Sequence, residues 1–146
     1  ITEARIAGYE ISAGARPVPD MLALSVGYTY LYPRDLLLNE ILKYRPRHLL
    51  TISGDLHIGP VTFGADFRHL SRVENIDREI SLVIADSERR VPIYVLDVRI
   101  LFSAAPLALP VRLSFLVDNV FQYHYTEVIA NIAAPRSYRL MLEAAL

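Results

Sequence analysis

Four groups of side chains in this sequence could do chemistry. Asp55, His57, Asp66, Arg68 and His69 fall in one short stretch, where carboxylates beside imidazoles would suit proton transfer. Tyr123, His124 and Tyr125, with Glu127 nearby, could hold a metal ion from a loop. Tyr44, Arg45 and Arg47 could grip an anion through charge-assisted hydrogen bonds. Asp97, Arg99, Arg112 and Asp118 add further charge. Each group has a plainer reading. A single histidine without partners at ligand spacing is a poor metal signal, so His124 reads first as the foot of a loop packed on its neighbours. No hydrolase, nucleotide-binding or zinc-protease motif occurs. Structural charge networks readily imitate catalytic ones. The expectation is therefore a protein that is not an enzyme, with no catalytic residue, no metal site and no cofactor.

The elements that carry these residues explain them better than catalysis does. From Leu22 the even positions are Leu22, Leu24, Val26, Tyr28, Tyr30 and Tyr32, while Ala23, Ser25, Gly27 and Thr29 lie between them. Side chains alternate faces along a strand, so one face is apolar and the other small or polar. A two-residue turn at Gly59-Pro60 sets Ile58 opposite Val61 and then pairs Leu56 with Phe63, Gly54 with Ala65 and Ile52 with Phe67. The same register pairs His57 with Thr62, Asp55 with Gly64, Ser53 with Asp66 and Thr51 with Arg68. A slip of one residue would mix the two sets. A turn over Pro17-Val18-Pro19-Asp20 would bring Ala15 to Leu22, Ala13 to Leu24, Ile11 to Val26 and Tyr9 to Tyr28, leaving Glu10, Ser12, Gly14 and Arg16 on the other face. A third hairpin runs from Tyr94 to Phe102, turns between Ala104 and Leu109, and returns through Val111, Leu113, Phe115 and Val117. Its opposite face carries Asp97, Arg99, Arg112 and Asp118, which read as two charge ladders, Asp97 with Arg99 and Arg112 with Asp118.

Strands are expected near 5–16, 21–32, 48–58, 61–71, 92–103, 110–119 and 136–146, each close to the 9–11 residues that a tilted strand needs to cross a bilayer. The connections alternate between short ones (Pro17 to Asp20, Gly59-Pro60, Ala104 to Leu109) and long ones (Pro33 to Arg47, Arg72 to Val91, Val120 to Pro135). Outer-membrane barrels alternate in this way, with short periplasmic turns and long extracellular loops. Tyr9, Tyr28, Tyr30, Tyr32, Phe67, Tyr94 and Tyr138 share the apolar parity and cluster toward the long-loop ends, as an outer aromatic girdle would. Parity then assigns Asp55, His57, Asp66, Arg68, Asp97, Arg99 and Arg112 to a lumen-facing wall and His69 to the outer rim.

Composition agrees without deciding. The 146 residues are 53% hydrophobic and 21% charged with a net charge of -1, which leaves no basic stripe for nucleic acid. Cysteine is absent, and no apolar run approaches the roughly 18 residues of a transmembrane helix. The chain opens at Ile1 in what reads as the approach to a strand, with no signal peptide, so it is expected to be a piece of a longer protein.

Three stretches carry a family resemblance. Leu24 to Tyr32 (LSVGYTYLY) followed by Tyr44 to His48 (YRPRH), then Val91 to Ile100 (VPIYVLDVRI), then Asp118 to Tyr125 (DNVFQYHY) with Ala134 to Leu142 (APRSYRLML) resemble, in order, the C-terminal part of the barrel of TonB-dependent outer-membrane receptors. DNVFQYHY is the most specific, being similar to the family's Asn-Leu-Phe-Asp-x-x-Tyr element before the last strand. The chain ends Ala144-Ala145-Leu146, where family members commonly end in an aromatic residue, and nothing in it resembles the plug or the TonB-contacting box. The resemblance implies an all-β, antiparallel up-and-down transmembrane barrel, with residues 1–146 forming about seven strands of a 22-stranded, plugged whole. It implies uptake of a ferric siderophore or similar scarce nutrient across the outer membrane of a Gram-negative bacterium, with ligand contacts from outer loops at Tyr44, Arg45, Arg47, Tyr123, His124 and Tyr125. Implied partners are outer-membrane lipid, the nutrient chelate, the TonB complex through the missing plug, and the barrel-assembly machinery. The same strands could also build a plug-free, porin-like channel or a soluble β-sheet binding domain.

Overall fold

A computed structural model describes residues 3–77, 79, 90–128 and 131–144. The long strands are β1 (Ala4–Val18) and β2 (Leu22–Asp35), β4 (His48–Ile58) and β5 (Val61–Leu70), β6 (Ile93–Ser103) and β7 (Val111–Asp118), and β10 (Ser137–Ala144). Between them lie the short β3 (Glu40–Ile41), β8 (Thr126–Val128) and β9 (Asn131–Ile132). The main sheet runs β1-β2-β4-β5-β6-β7-β10 with every neighbour antiparallel, β3 adding a short pairing to β2, while β8 and β9 form a separate ribbon. The order follows the chain, which makes the sheet an up-and-down meander.

The β4–β5 hairpin has the expected register throughout, from Ile58 opposite Val61 to Thr51 opposite Arg68. Gly59 at φ 56 supplies the left-handed residue of its turn. The β1–β2 hairpin differs from expectation by two residues. Ala15 pairs with Leu24, Ala13 with Val26, Ile11 with Tyr28 and Tyr9 with Tyr30. The chain stays extended through Pro17, passes an irregularity between Ala15 and Val18, and turns only at Pro19-Asp20, where the Met21 N–H donates to the Val18 carbonyl at 3.2 Å. Asp20 takes φ 58 there. Proline is tolerated at such a place because an edge strand or bulge has no ladder bond to lose. A shift of two preserves parity, so the expected faces survive the corrected register.

One further correction concerns a strand end: β2 continues to Asp35, beyond the expected Tyr32, and carries Pro33 past its last pair with β4, Tyr30 with His48. The third hairpin turns between Ala104 and Leu109 as expected, through a single 3-10 turn, Ala105–Leu107, closed by Ala108 at φ 57.

Two faces result. On one, Val26, Ile52, Phe67 and Leu96 line up across β2, β4, β5 and β6, and Ile100, Phe115 and Leu140 across β6, β7 and β10. The other carries Ser25, Ser53, Asp66 and Asp97 in one row, and Asp55, Gly64 and Arg99 in another. No second layer covers the apolar face among the described residues: Ile52 is 43% exposed, Ile11 61% and Leu140 71%. Among the described residues only Val95, Ala104 and Pro33 of the apolar ones are buried, so these residues build no interior core for the apolar face to fill.

Candidate binding face and loop rim

The polar face is organised by Arg99. It stands directly opposite Gly64 on β5, which in turn stands opposite Asp55 on β4. A Cβ built on Gly64 would lie 2.4 Å from Arg99 Nε, so the glycine is the gap through which the guanidinium passes. Beyond the gap Arg99 donates to Asp55 at 2.5 Å, and it also donates to Asp66. One side chain thereby ties three strands. Asp97 instead accepts the Asn119 N–H at 2.7 Å, although it sits opposite Asp66.

The expected ladders are therefore rearranged. Asp118 is held by Arg139, with Nη2 at 2.8 Å and Nε at 3.0 Å, and by the Ser137 hydroxyl at 2.8 Å. Arg112 faces its cross-strand partner Glu143 at 3.5 Å. Parity chose the right face for these residues, but partners depend on which strand lies alongside, and β10 lies beside β7.

The acid–base set does not assemble. His57 Nδ1 is hydrogen-bonded to the Thr62 hydroxyl at 2.8 Å, and Asp55 and Asp66 belong to Arg99. His69 lies on the other face, stacked on Tyr94 with centroids 4.6 Å apart. Arg68 donates to the Tyr125 hydroxyl at 3.2 Å.

At the long-connection end, the loop after β2 and the segment after β5 are clamped. The Tyr44 N–H donates to the Asn75 carbonyl at 2.9 Å, its hydroxyl donates to Asp77 at 2.5 Å, and Lys43 pairs with the same carboxylate. These bonds, from Lys43 first and Tyr44 second, hold the Asp77 carboxyl below the usual range. The same contact raises the Lys43 ammonium, while desolvation followed by the Asp77 bond raises the Tyr44 phenol. Arg47 donates to the Tyr30 hydroxyl and to Glu74 at 3.2 Å, with its guanidinium carbon 5.3 Å from the Tyr30 centroid and 5.2 Å from that of Tyr32. Its pKa is raised, chiefly by the bond to Tyr30.

A second cluster closes the end of β7. Asn119, 3% exposed and at φ 52, receives the Tyr123 N–H on its side-chain oxygen at 2.9 Å. Its amide nitrogen donates to the carbonyls of Tyr123 at 2.9 Å and Ala134 at 3.2 Å. Tyr123 donates to the Pro92 carbonyl at 2.8 Å and meets Tyr94 edge-on, and Tyr125 stacks near Tyr123 at 6.3 Å. Of the six residues expected to touch a ligand, Arg45 and His124 are exposed, whereas Tyr44, Arg47, Tyr123 and Tyr125 are half-buried in contacts that build the rim. Gly64, Asp77 and Asn119 were not singled out from sequence. Asn119 had a signal, its place in the DNVFQYHY element, whereas Gly64 was read only as the partner of Asp55, and its second neighbour Arg99 follows from the pairing of β5 with β6.

No protein-family model matches the sequence, and no curated protein matches it. Solved structures do resemble it. Over 95% of its length the chain superposes on P. aeruginosa FpvA in a ferric pyoverdine complex, with TM-score 0.74, 17% identity and 19% of that chain covered. It superposes equally well on the ferric-catecholate import receptor Fiu of E. coli K12 in its closed form, with TM-score 0.74, 19% identity and 20% of that chain covered. The open form of Fiu gives TM-score 0.71 at 20% identity. The chain spans about a fifth of the length of these receptors. Its seven-strand meander, apolar on one face and charged on the other, has the fold of about a fifth of the chain of these receptors.

Proposed function

We propose that residues 1–146 are wall strands and outer loops from the C-terminal part of an outer-membrane TonB-dependent receptor that takes up a ferric siderophore or a similar nutrient chelate. The observation that carries this reading is the uncovered apolar face. A soluble sandwich would lay a second sheet over Ile11, Ile52 and Leu140, and a bilayer satisfies the same surface with lipid. The charged face then looks into the lumen, where a polar wall meets water or a plug. Arg45 and His124 are exposed, and on this reading they are the residues of the expected set that would contact the chelate. The protein belongs on this reading in the outer membrane of a Gram-negative bacterium, works with TonB through a plug encoded elsewhere in the parent, and catalyses no reaction.

The test is uptake of iron-55 siderophores by cells that produce the full-length parent under iron limitation, with and without TonB. Uptake that needs both the parent and TonB is expected. Passage of small solutes that ignores TonB would identify a plug-free channel, and recovery of the parent in the soluble fraction would remove the membrane reading.

A further inference from the structure

A cavity of about 300 Å³ opens where β5 and β6 part, lined by Arg72, Val73, Glu74 and Arg90. The last pair of those strands is Leu70 with Ile93, so Arg72 lies just beyond it on one side and Arg90 just beyond it on the other. Arg90 is fixed there by the bond from its Nη1 to the Glu74 carbonyl, which leaves the rest of its fork free toward the cavity among the described residues. The Glu74 carboxylate is paired with Arg47 at 3.2 Å. Among the described residues no carboxylate lies within ion-pairing distance of Arg72 or Arg90. The Tyr44 N–H, donating to the Asn75 carbonyl, holds the loop that carries the exposed Arg45 against the segment that carries Arg72. The cavity is therefore part of the same rim, and its excess charge is positive.

We propose that Arg72 and Arg90 form a subsite for a free carboxylate on one arm of the chelate, which makes the ligand an acidic chelate and not a neutral one. The inference rests on the receptor reading above and deepens it. Size sets the first limit: the cavity is at the low end of small-molecule sites, roughly 300–1,000 Å³, so it takes one arm and leaves the iron centre outside. Chemistry sets the second. A guanidinium holds a planar carboxylate through paired N–H donors, and two guanidiniums on one cavity offer such a group more than one fork. Glu74 sets the third, because a carboxylate in the lining opposes a dianion such as phosphate more than it opposes a monoanion. Val73 supplies an apolar wall for the stem of the arm.

The experiment uses the detergent-solubilised full-length parent and two ferric chelates with the same iron centre, N-acetyl- and N-succinyl-desferrioxamine B, of which only the second ends in a free carboxylate. Equilibrium dialysis with iron-55 measures binding, and heat-modifiable gel mobility reports assembly. Wild type should bind the succinyl chelate about tenfold more tightly than the acetyl one, the scale of one charge-assisted contact. Arg72→Gln should remove most of that preference and assemble normally, since Arg72 is exposed and has no carboxylate partner among the described residues. Arg90→Gln should remove it as well. Equal binding of the two chelates by wild type, or binding of neither, would overturn the subsite, because a built carboxylate site holds the acidic arm whatever carries it. An unchanged preference in either variant would assign the carboxylate to other cations and overturn it too. Uptake of iron-55 with and without TonB separates the two failures: TonB-dependent uptake with no such preference leaves a receptor without this subsite, and no TonB-dependent uptake removes both.

Discussion

A valine at position 64 would occupy the space through which Arg99 reaches Asp55. Gly64→Val should therefore break the three-strand tie and leave Asp55 without its cation, at roughly 1–3 kcal/mol. Equilibrium unfolding of the lipid-assembled parent measures it, and an unchanged midpoint would show that the tie contributes nothing. Thr51 and Ile52 make a sharper comparison, being sequence neighbours on opposite faces. Ile52→Arg places a charge in the apolar row beside Val26 and Phe67 and should cost roughly 2–4 kcal/mol at the bilayer midplane. Thr51→Arg lands opposite Arg68 and should cost about 0.2–1 kcal/mol. Equal losses, or the larger loss at Thr51, would mean that the wall is inside out. At this scale the sequence showed which face a residue takes, because alternation is local. It did not show partners, since Arg139 reaches Asp118 only after β10 has come alongside β7.

Among the connecting elements, the clamp between the β2 loop and the segment after β5 depends on ionisation. The Asp77 carboxyl is depressed, so its contribution is complete above the ordinary aspartate pKa and disappears as pH falls through the lower folded value. Lys43 is raised, so its contribution is complete below the ordinary lysine pKa and disappears only as pH rises through the higher folded value. The clamp should hold across the whole range between. Trypsin cleavage after Lys43 and Arg72 in the assembled parent is expected to stay slow from pH 6 to 9 (an assay window of about these limits) and to rise several-fold in Asp77→Asn. Cleavage at the same rate in both proteins would show that the loops are held by something else. Sequence reading located these loops by their length but could not join them. Tyr44 and Asp77 are far apart in the chain, and no periodicity links one loop to the next.

The whole sheet has two open borders. β1 and β10 each pair on one side only among the described residues, and nearly all of β1 is exposed. Such edges are templates for further pairing. The isolated 146-residue chain should therefore be insoluble or oligomeric without detergent. A monomeric, cooperatively unfolding species on size-exclusion chromatography in plain buffer would contradict it. The fold class was legible because each hairpin repeats the same alternation and the long strands follow in chain order. The β1–β2 register was not, because the apolar face looks the same after a slide of two residues.

That degeneracy assigns a different job to each side of the sheet. Lipid is indifferent to an even-numbered slide, since Leu24 beside Ala15 is as apolar as Leu22 would be. Arg99 is not indifferent, because its grip on Asp55 across Gly64 exists at one stagger of β4, β5 and β6 and at no other. Stagger summed around a closed wall is its shear, and shear together with strand number sets the diameter. On the membrane reading proposed above, the width of the barrel would be set by the Arg99 tie across Gly64 on the charged face and not by the apolar one.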